Sequence, residues 1–197
     1  LLIAAGLGVL TLGAGPAPKV QPQAAHTDGY LGAGGPDTLR ILPPAPVAGT
    51  TRYEAGRTVF LATRALKDTP RWAMAQADID ESRTLKRLSC ATGVELTPQN
   101  APKTTALLGK ARWDVRRAVN RPKDYYKRQR PFMIDEGPIC DEAHREELKS
   151  SPDYPSGHNS WGWTVGLVMA ELVPDRASDI LVRARAFGES RLVCGVH

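Results

Sequence analysis

Residues 155–172 read PSGHNSWGWTVGLVMAEL, and this stretch decides the fold. Trp161, Val165, Val168 and Leu172 recur at three- and four-residue steps, so they share one face of a helix. Pro155-Ser156-Gly157 ahead of them is a start signal, with a hydroxyl available to cap backbone N–H groups that lack a carbonyl partner. Pro174 closes this helix and lets another begin, carrying Ile180, Leu181, Ala184 and Phe187 on its apolar stripe.

The same pattern extends upstream. Leu107, Leu108, Ala111, Val115, Ala118 and Val119 form a third stripe, which Arg121-Pro122 is expected to disturb. Thr69-Pro70 pairs a cap with a proline at the first helical position. It predicts a helix running through Trp72, Met74, Ile79 and Leu85 toward Cys90, with Gly93 past its end. Thr51 and Glu54 have the form of a capping box and mark where helical patterning starts. Alternating runs bounded by turn dipeptides are missing. The expected fold is all-α, a single-domain packed helical bundle without internal repeats.

At 197 residues the chain is long enough to bury a substantial core. Its 42% hydrophobic and 24% charged content excludes a wholly disordered or collagen-like protein. The formal charge of +5 suits a protein that handles anions, without singling out nucleic acid from phosphate esters. Leu1 to Gly15 is an uncharged apolar run, too short to span a bilayer comfortably but of signal-peptide length. Residues 1–25 are therefore expected to be a signal-peptide remnant. Residues 26–49, rich in Pro and Gly, are expected to form an N-terminal arm, and residues 50–197 the folded domain. No other stretch is apolar enough to cross a membrane. An exported protein without a membrane anchor in its mature form follows, periplasmic or secreted. Three cysteines, Cys90, Cys140 and Cys194, allow any one of three bridges or none. No Cys/His cluster has zinc-site spacing.

Three stretches concentrate polar groups at helix ends. In the basic run 112–130, Lys123 and Arg130 stand seven apart, about two helical turns, and would share a face and grip one tetrahedral anion. At Tyr154-Pro155-Ser156-Gly157-His158, a helix N-terminus offers backbone donors. Gly157 allows close approach, Ser156 adds a hydroxyl, and His158 brings a titratable group. Near the end of the chain, Arg191 and His197 punctuate an apolar helix. Taken singly, these features read as a solvated basic face, an ordinary cap and a terminal histidine. Together they supply the groups for phosphoryl transfer without a metal.

The ordered pattern Lys123…Arg130-Pro131, Pro155-Ser156-Gly157-His158 and Ser190-Arg191…His197 resembles the three-part signature of the PAP2 phosphatase and vanadium haloperoxidase superfamily. The stretches Ser151-Pro-Asp-Tyr-Pro-Ser-Gly-His158 and Gly188-Glu-Ser-Arg-Leu-Val-Cys-Gly-Val-His197 resemble the bacterial class A non-specific acid phosphatases in particular. The resemblance covers roughly residues 40 to 197. It implies a broad-specificity acid phosphatase acting on small-molecule phosphate monoesters through a phosphohistidine, with no cofactor and no metal. It further implies His197 as nucleophile and His158 as general acid, with Lys123, Arg130, Ser156, Gly157 and Arg191 holding the phosphate. In that family an Asp four residues beyond the last histidine orients it. This sequence ends at His197, so a C-terminally truncated domain is expected.

Two other readings are open. A vanadium-dependent haloperoxidase would use the same cationic pocket for vanadate, though such enzymes are typically much longer. A non-catalytic anion- or nucleic-acid-binding module would use the 112–130 run, where only Trp113, Tyr125 and Tyr126 interleave with the charges. No nucleic-acid partner is expected, and a homo-oligomer is compatible with the reading.

Overall fold

The computed structural model describes residues 29–197, so the apolar run and the export reading of residues 1–25 fall outside the described residues. All regular structure among these residues is helical. In chain order the α-helices are α1 (Thr38–Ile41), α2 (Thr51–Thr63), α3 (Pro70–Ala77), α4 (Thr84–Arg87), α5 (Ser89–Thr92), α6 (Pro102–Tyr126), α7 (Arg145–Ser150), α8 (Gly157–Leu172) and α9 (Ala177–Val193). Short 3₁₀ turns link several of them.

Several expected boundaries hold and others move. The Thr69 hydroxyl accepts from the Trp72 N–H, with Pro70 at the first helical position of α3. The cap of α2 is Thr50, which accepts from the Tyr53 N–H, one residue before the expected Thr51. Glu54 therefore sits one place too far along for a capping box with its cap. The expected helix from Thr69 toward Cys90 is broken into α3, α4 and α5. Asp80 accepts from the backbone N–H and hydroxyl of Ser82 (3.0 and 2.6 Å), starting a separate turn. Gly93 ends α5 in the left-handed region at φ 78°.

Pro122 does not break α6, which runs on to Tyr126. Proline removes one ladder hydrogen bond, but Val119 and Pro122 are both buried, and this packing outweighs the local penalty. On α8 the buried stripe is His158, Trp161, Val165 and Met169, flanked by Gly162 and Gly166. Leu172, expected on that stripe, is half exposed. On α9, Ile180, Ala184 and Phe187 are buried as expected.

The core has two parts. Trp161, Val165, Met169, Ile180 and Phe187 pack with Leu88 and Leu108, while Phe60, Trp72, Phe132, Val193 and Val196 form the other part around Cys140 and Cys194. The latter two cysteines are joined in a disulfide, and Cys90 is free and exposed.

Helices α8 and α9 meet closely because α8 carries glycine where α9 presses in. A Cβ at Gly162 would fall 2.4 Å from the Phe187 ring, and one at Gly166 would fall 2.3 Å from Ala184 Cβ. Gly166→Leu is therefore expected to force the helices apart and cost about 1–3 kcal/mol. A lowered thermal unfolding midpoint would register this; an unchanged midpoint would contradict the close packing.

The segment from residue 29 to 43 is tied to α6 and to the connector before α8. The Tyr30 N–H donates to Asp114 (2.6 Å), Arg121 pairs with Asp37 (3.0 Å), and the Tyr154 hydroxyl donates to the Pro43 carbonyl (2.9 Å).

Candidate active site

Lys123 sits in the last turn of α6, and Lys127 ends that helix in the left-handed region at φ 46°. Arg130 follows in extended backbone, so Lys123 and Arg130 do not share the helical face the spacing predicts. The turn at Lys127 redirects the chain instead, and both cations point into the same interior. The Lys123 ammonium donates to the Pro152 carbonyl. Burial, with Arg130 and Arg191 nearby, lowers its pKa to about 8.

Arg130 is buried and ties distant segments together. Its Nε donates to the carbonyls of Leu148 (2.9 Å) and Ser151 (2.8 Å), and its Nη1 donates to that of Val196 (2.7 Å). The same Nη1 lies 3.3 Å from Nε2 of His197. Burial and the neighbouring Arg191 bring the Arg130 pKa down to about 10. Arg191, on the last turn of α9, is also buried, with Asp141 3.5 Å away. Its pKa too is lowered, chiefly by burial, while Asp141 opposes the shift. Burial lowers all three cations, Arg191 further depresses Lys123 and Arg130, and such a cluster is suited to holding an anion.

Ser156 caps α8 by accepting from the Asn159 N–H (3.3 Å), and Gly157 is the first residue of that helix. A Cβ at Gly157 would make only ordinary contact with Val119, so packing within the protein does not require glycine there. His158 is 6% exposed, and its ring lies flat on Phe187 at 4.2 Å. Its Nδ1 is hydrogen-bonded to Oε1 of Glu81 (3.2 Å), while its buried Nε2 meets no partner among the described residues. Burial and Arg191 push the His158 pKa down, and Glu81 works against them.

His197 is almost wholly buried, and its Nδ1 lies 2.5 Å from Oδ1 of Asp153. Asp153, itself buried, also pairs with Arg128. Burial first, then Arg130, Arg191, Lys123 and His158, hold the imidazole well below its usual pKa, so it is neutral at ordinary pH. Two features secure the chain just before it. The Cys140–Cys194 bridge joins the segment bearing Asp141 to the end of α9. Gly195 turns at φ 74°, where a Cβ would fall 2.3 Å from the Arg64 guanidinium. That guanidinium closes the end of α9 by donating to the carbonyls of Leu192 (3.1 Å) and Val193 (2.8 Å).

His158, His197, Lys123, Arg130 and Arg191 thus stand within electrostatic reach of one another, with Ser156 and Gly157 at the adjoining helix N-terminus. A cavity of about 590 Å³ is lined by His197, Ser156, Asp153, Tyr53 and Tyr154. A smaller one, about 140 Å³, is lined by Lys123, Gly157, Glu81, Arg112 and Trp161.

Three carboxylates in this centre were not anticipated from the sequence: Glu81, Asp141 and Asp153. Asp153 lies within the motif stretch before His158 and was legible as a neighbour, though not as a partner of His197. Glu81 lies 77 residues from His158 and carries no local signal. Among the described residues no group of three or more His, Cys, Asp or Glu is arranged to hold a metal ion.

Residues 115–197 match the PAP2 superfamily. The chain is 40% identical over 163 residues to an acid phosphatase of Zymomonas mobilis subsp. mobilis, an alignment covering 82% of this chain and 62% of that protein. It is 32% identical over 159 residues to a non-specific acid phosphatase of Salmonella typhimurium (79% and 64% covered). A non-specific acid phosphatase of Providencia stuartii is 32% identical over 164 residues (82% and 66% covered). The chain thus spans somewhat less than two thirds of the length of these curated relatives. Residues 115–197, which hold His158, His197 and all three cations, thus match the PAP2 superfamily, and over most of its length the chain is homologous to bacterial non-specific acid phosphatases.

Proposed function

We propose that the protein hydrolyses small-molecule phosphate monoesters through a phosphohistidine on His197. The supporting observation is a pair of buried imidazoles, each with a carboxylate at Nδ1, set among three mutually repelling cations. In this scheme the neutral Nε2 of His197 attacks phosphorus while His158 gives its Nε2 proton to the departing alcohol, and the P–O bond breaks. Water then attacks the phosphohistidine, passing its proton to His158, and the N–P bond breaks to release phosphate. Lys123, Arg130 and Arg191, the Ser156 hydroxyl and the Gly157 N–H hold the equatorial oxygens, where charge is concentrated. Since packing leaves room for a side chain at 157, close approach of that anion is the reason for glycine there.

Much of the basic run is spent on the protein's own carboxylates: Arg112 on Glu81, Arg121 on Asp37 and Arg128 on Asp153. This supports a compact phosphate site over a nucleic-acid groove. Export to the periplasm or beyond is part of the proposal, supported by a buried disulfide that suits an oxidising compartment. No helix among the described residues is long and apolar enough to cross a membrane.

Turnover needs His197 neutral and His158 protonated. Rising pH through the His197 pKa switches activity on, and rising pH through the His158 pKa switches it off. Both are pushed below the ordinary histidine value of 6.5. The rate of p-nitrophenyl phosphate hydrolysis is therefore expected to peak on the acid side of neutrality, unaffected by a chelator and inhibited by vanadate. An alkaline optimum or chelator-abolished turnover would overturn the scheme. Halide oxidation with vanadate and peroxide would replace it with the haloperoxidase reading.

A further inference from the structure

The imidazole of His158 is fixed in two independent ways. Phe187 lies flat against it at 4.2 Å with an interplanar angle of 7°, which sets the ring plane. Gly162, one turn along α8, gives Phe187 the space to do so. Rotation within that plane is set by Glu81, whose Oε1 takes Nδ1 at 3.2 Å. Glu81 is itself held: its other oxygen, Oε2, accepts from Arg112 of α6, and the Arg112 guanidinium stacks over Trp161 at 5.0 Å. Trp161 is pinned in turn by donating from Nε1 to the Thr84 hydroxyl at 3.0 Å. Each carboxylate oxygen therefore has one assigned partner. The helical turn carrying Glu81 is short and is started by Asp80, so the carboxylate is delivered by a connector and not by the helices that bear the histidines.

We propose that Glu81 is a positioning residue for His158, holding its Nδ1–H so that Nε2 is the nitrogen presented to the leaving oxygen of a phosphate monoester. The inference rests on the phosphatase reading above and assigns Glu81, Arg112 and Phe187 as the supports of its acid. The free, buried Nε2 is what such an orientation leaves for the reaction. The charged groups facing His158 divide by sign. Arg191 at the end of α9 disfavours a protonated ring, while Glu81 and Asp78, the latter after α3, favour one, and His197 beyond α9 is held neutral. Arg112 reaches His158 only through Glu81. Neutralising Glu81 leaves burial and Arg191 less opposed, so His158 would lose its proton at lower pH.

The test is kcat/KM for the full-length protein across phosphate monoesters of graded leaving groups, from 2,4-dinitrophenyl to alkyl phosphates. This ratio reports the step in which the alcohol departs and not the later, shared release of phosphate. A general acid matters most when the leaving oxygen is basic. Glu81→Gln is expected to lower kcat/KM for alkyl phosphates about 10²-fold but for the dinitrophenyl ester less than about 3-fold, and to move the basic limb of the pH profile to lower pH. Glu81→Asp, which keeps the charge and shortens the reach, is expected to restore the basic limb and part of the alkyl-ester rate. It also provides the comparison should Glu81→Gln unfold. An equal loss for every leaving group with an unmoved basic limb would overturn the positioning role while leaving the phosphatase reading intact. A wild-type protein that hydrolyses none of these esters would overturn the phosphatase reading itself.

Discussion

His197→Ala is expected to reduce p-nitrophenyl phosphate turnover by about 10⁴-fold or more, the largest loss from any single substitution in this protein. The imidazole is buried and uncharged, with Asp153 Oδ1 2.5 Å from its Nδ1, which leaves Nε2 as the nitrogen available to attack. Lys123, whose pKa of about 8 leaves it mostly protonated at acid pH, is committed to the Pro152 carbonyl. The measurement has two parts. Steady-state rates show the loss, and rapid quenching after labelled substrate shows an acid-labile, alkali-stable phosphoryl group on the wild type and none on the variant. Near-normal turnover in His197→Ala would remove the nucleophile assignment. Persistence of the label would move it to another residue.

Arg191→Ala is expected to be next in size, lowering kcat/KM by about 10²–10³-fold and weakening inhibition by vanadate or phosphate in parallel. Arg191 is buried with one carboxylate, Asp141, at a loose 3.5 Å, and its Nε has no partner among the described residues. A guanidinium so placed has donors to spare for an anion. Asp141 retains His144 at 2.6 Å, so its charge is not stranded when Arg191 is removed. Arg191→Lys should recover only a minor part, since a point charge cannot reproduce the planar fork. Assays below the unfolding midpoint of each variant separate the catalytic loss from instability. Unchanged vanadate inhibition would exclude Arg191 from the anion's contacts.

The long helices were legible because burial on one face imposes a periodicity that sequence displays directly. Trp161, Val165, Ile180, Ala184 and Phe187 lie in the core where that periodicity puts them. The breaks were less legible. Nothing in the apolar pattern between Thr69 and Cys90 signals a stop, because the interruption comes from polar side chains with local or distant partners. Asp80 captures Ser82, and Asp78, fully buried, binds Arg183 and Ser190 of α9. Pro122 misled in the opposite direction, since its local penalty is visible in sequence while the packing that outweighs it is not. The residues of the three motifs could be read from order and spacing, but their means of convergence could not. Arg130 reaches His197 through a left-handed turn at Lys127 and through carbonyls of two other segments, none of which a helical face predicts. The carboxylates at the two histidines were hidden for the same reason: Glu81 and Asp153 are ordinary acids until folding sets them beside imidazoles.

The near-contact of α8 and α9 at Gly162 and Gly166 has a consequence for how such proteins diversify. His158 rides on one of these helices and Arg191 on the other, so the chemical centre behaves as a single rigid inheritance that tolerates little side-chain growth along its seam. The larger cavity beside His197 draws part of its wall from elsewhere, from Arg52, Tyr53, Gly56 and Val59 of α2, together with Asn159 and Ser160 of α8. On the phosphatase reading, a change of substrate preference is therefore expected to arise on the α2 side of that cavity before it arises along the α8–α9 seam.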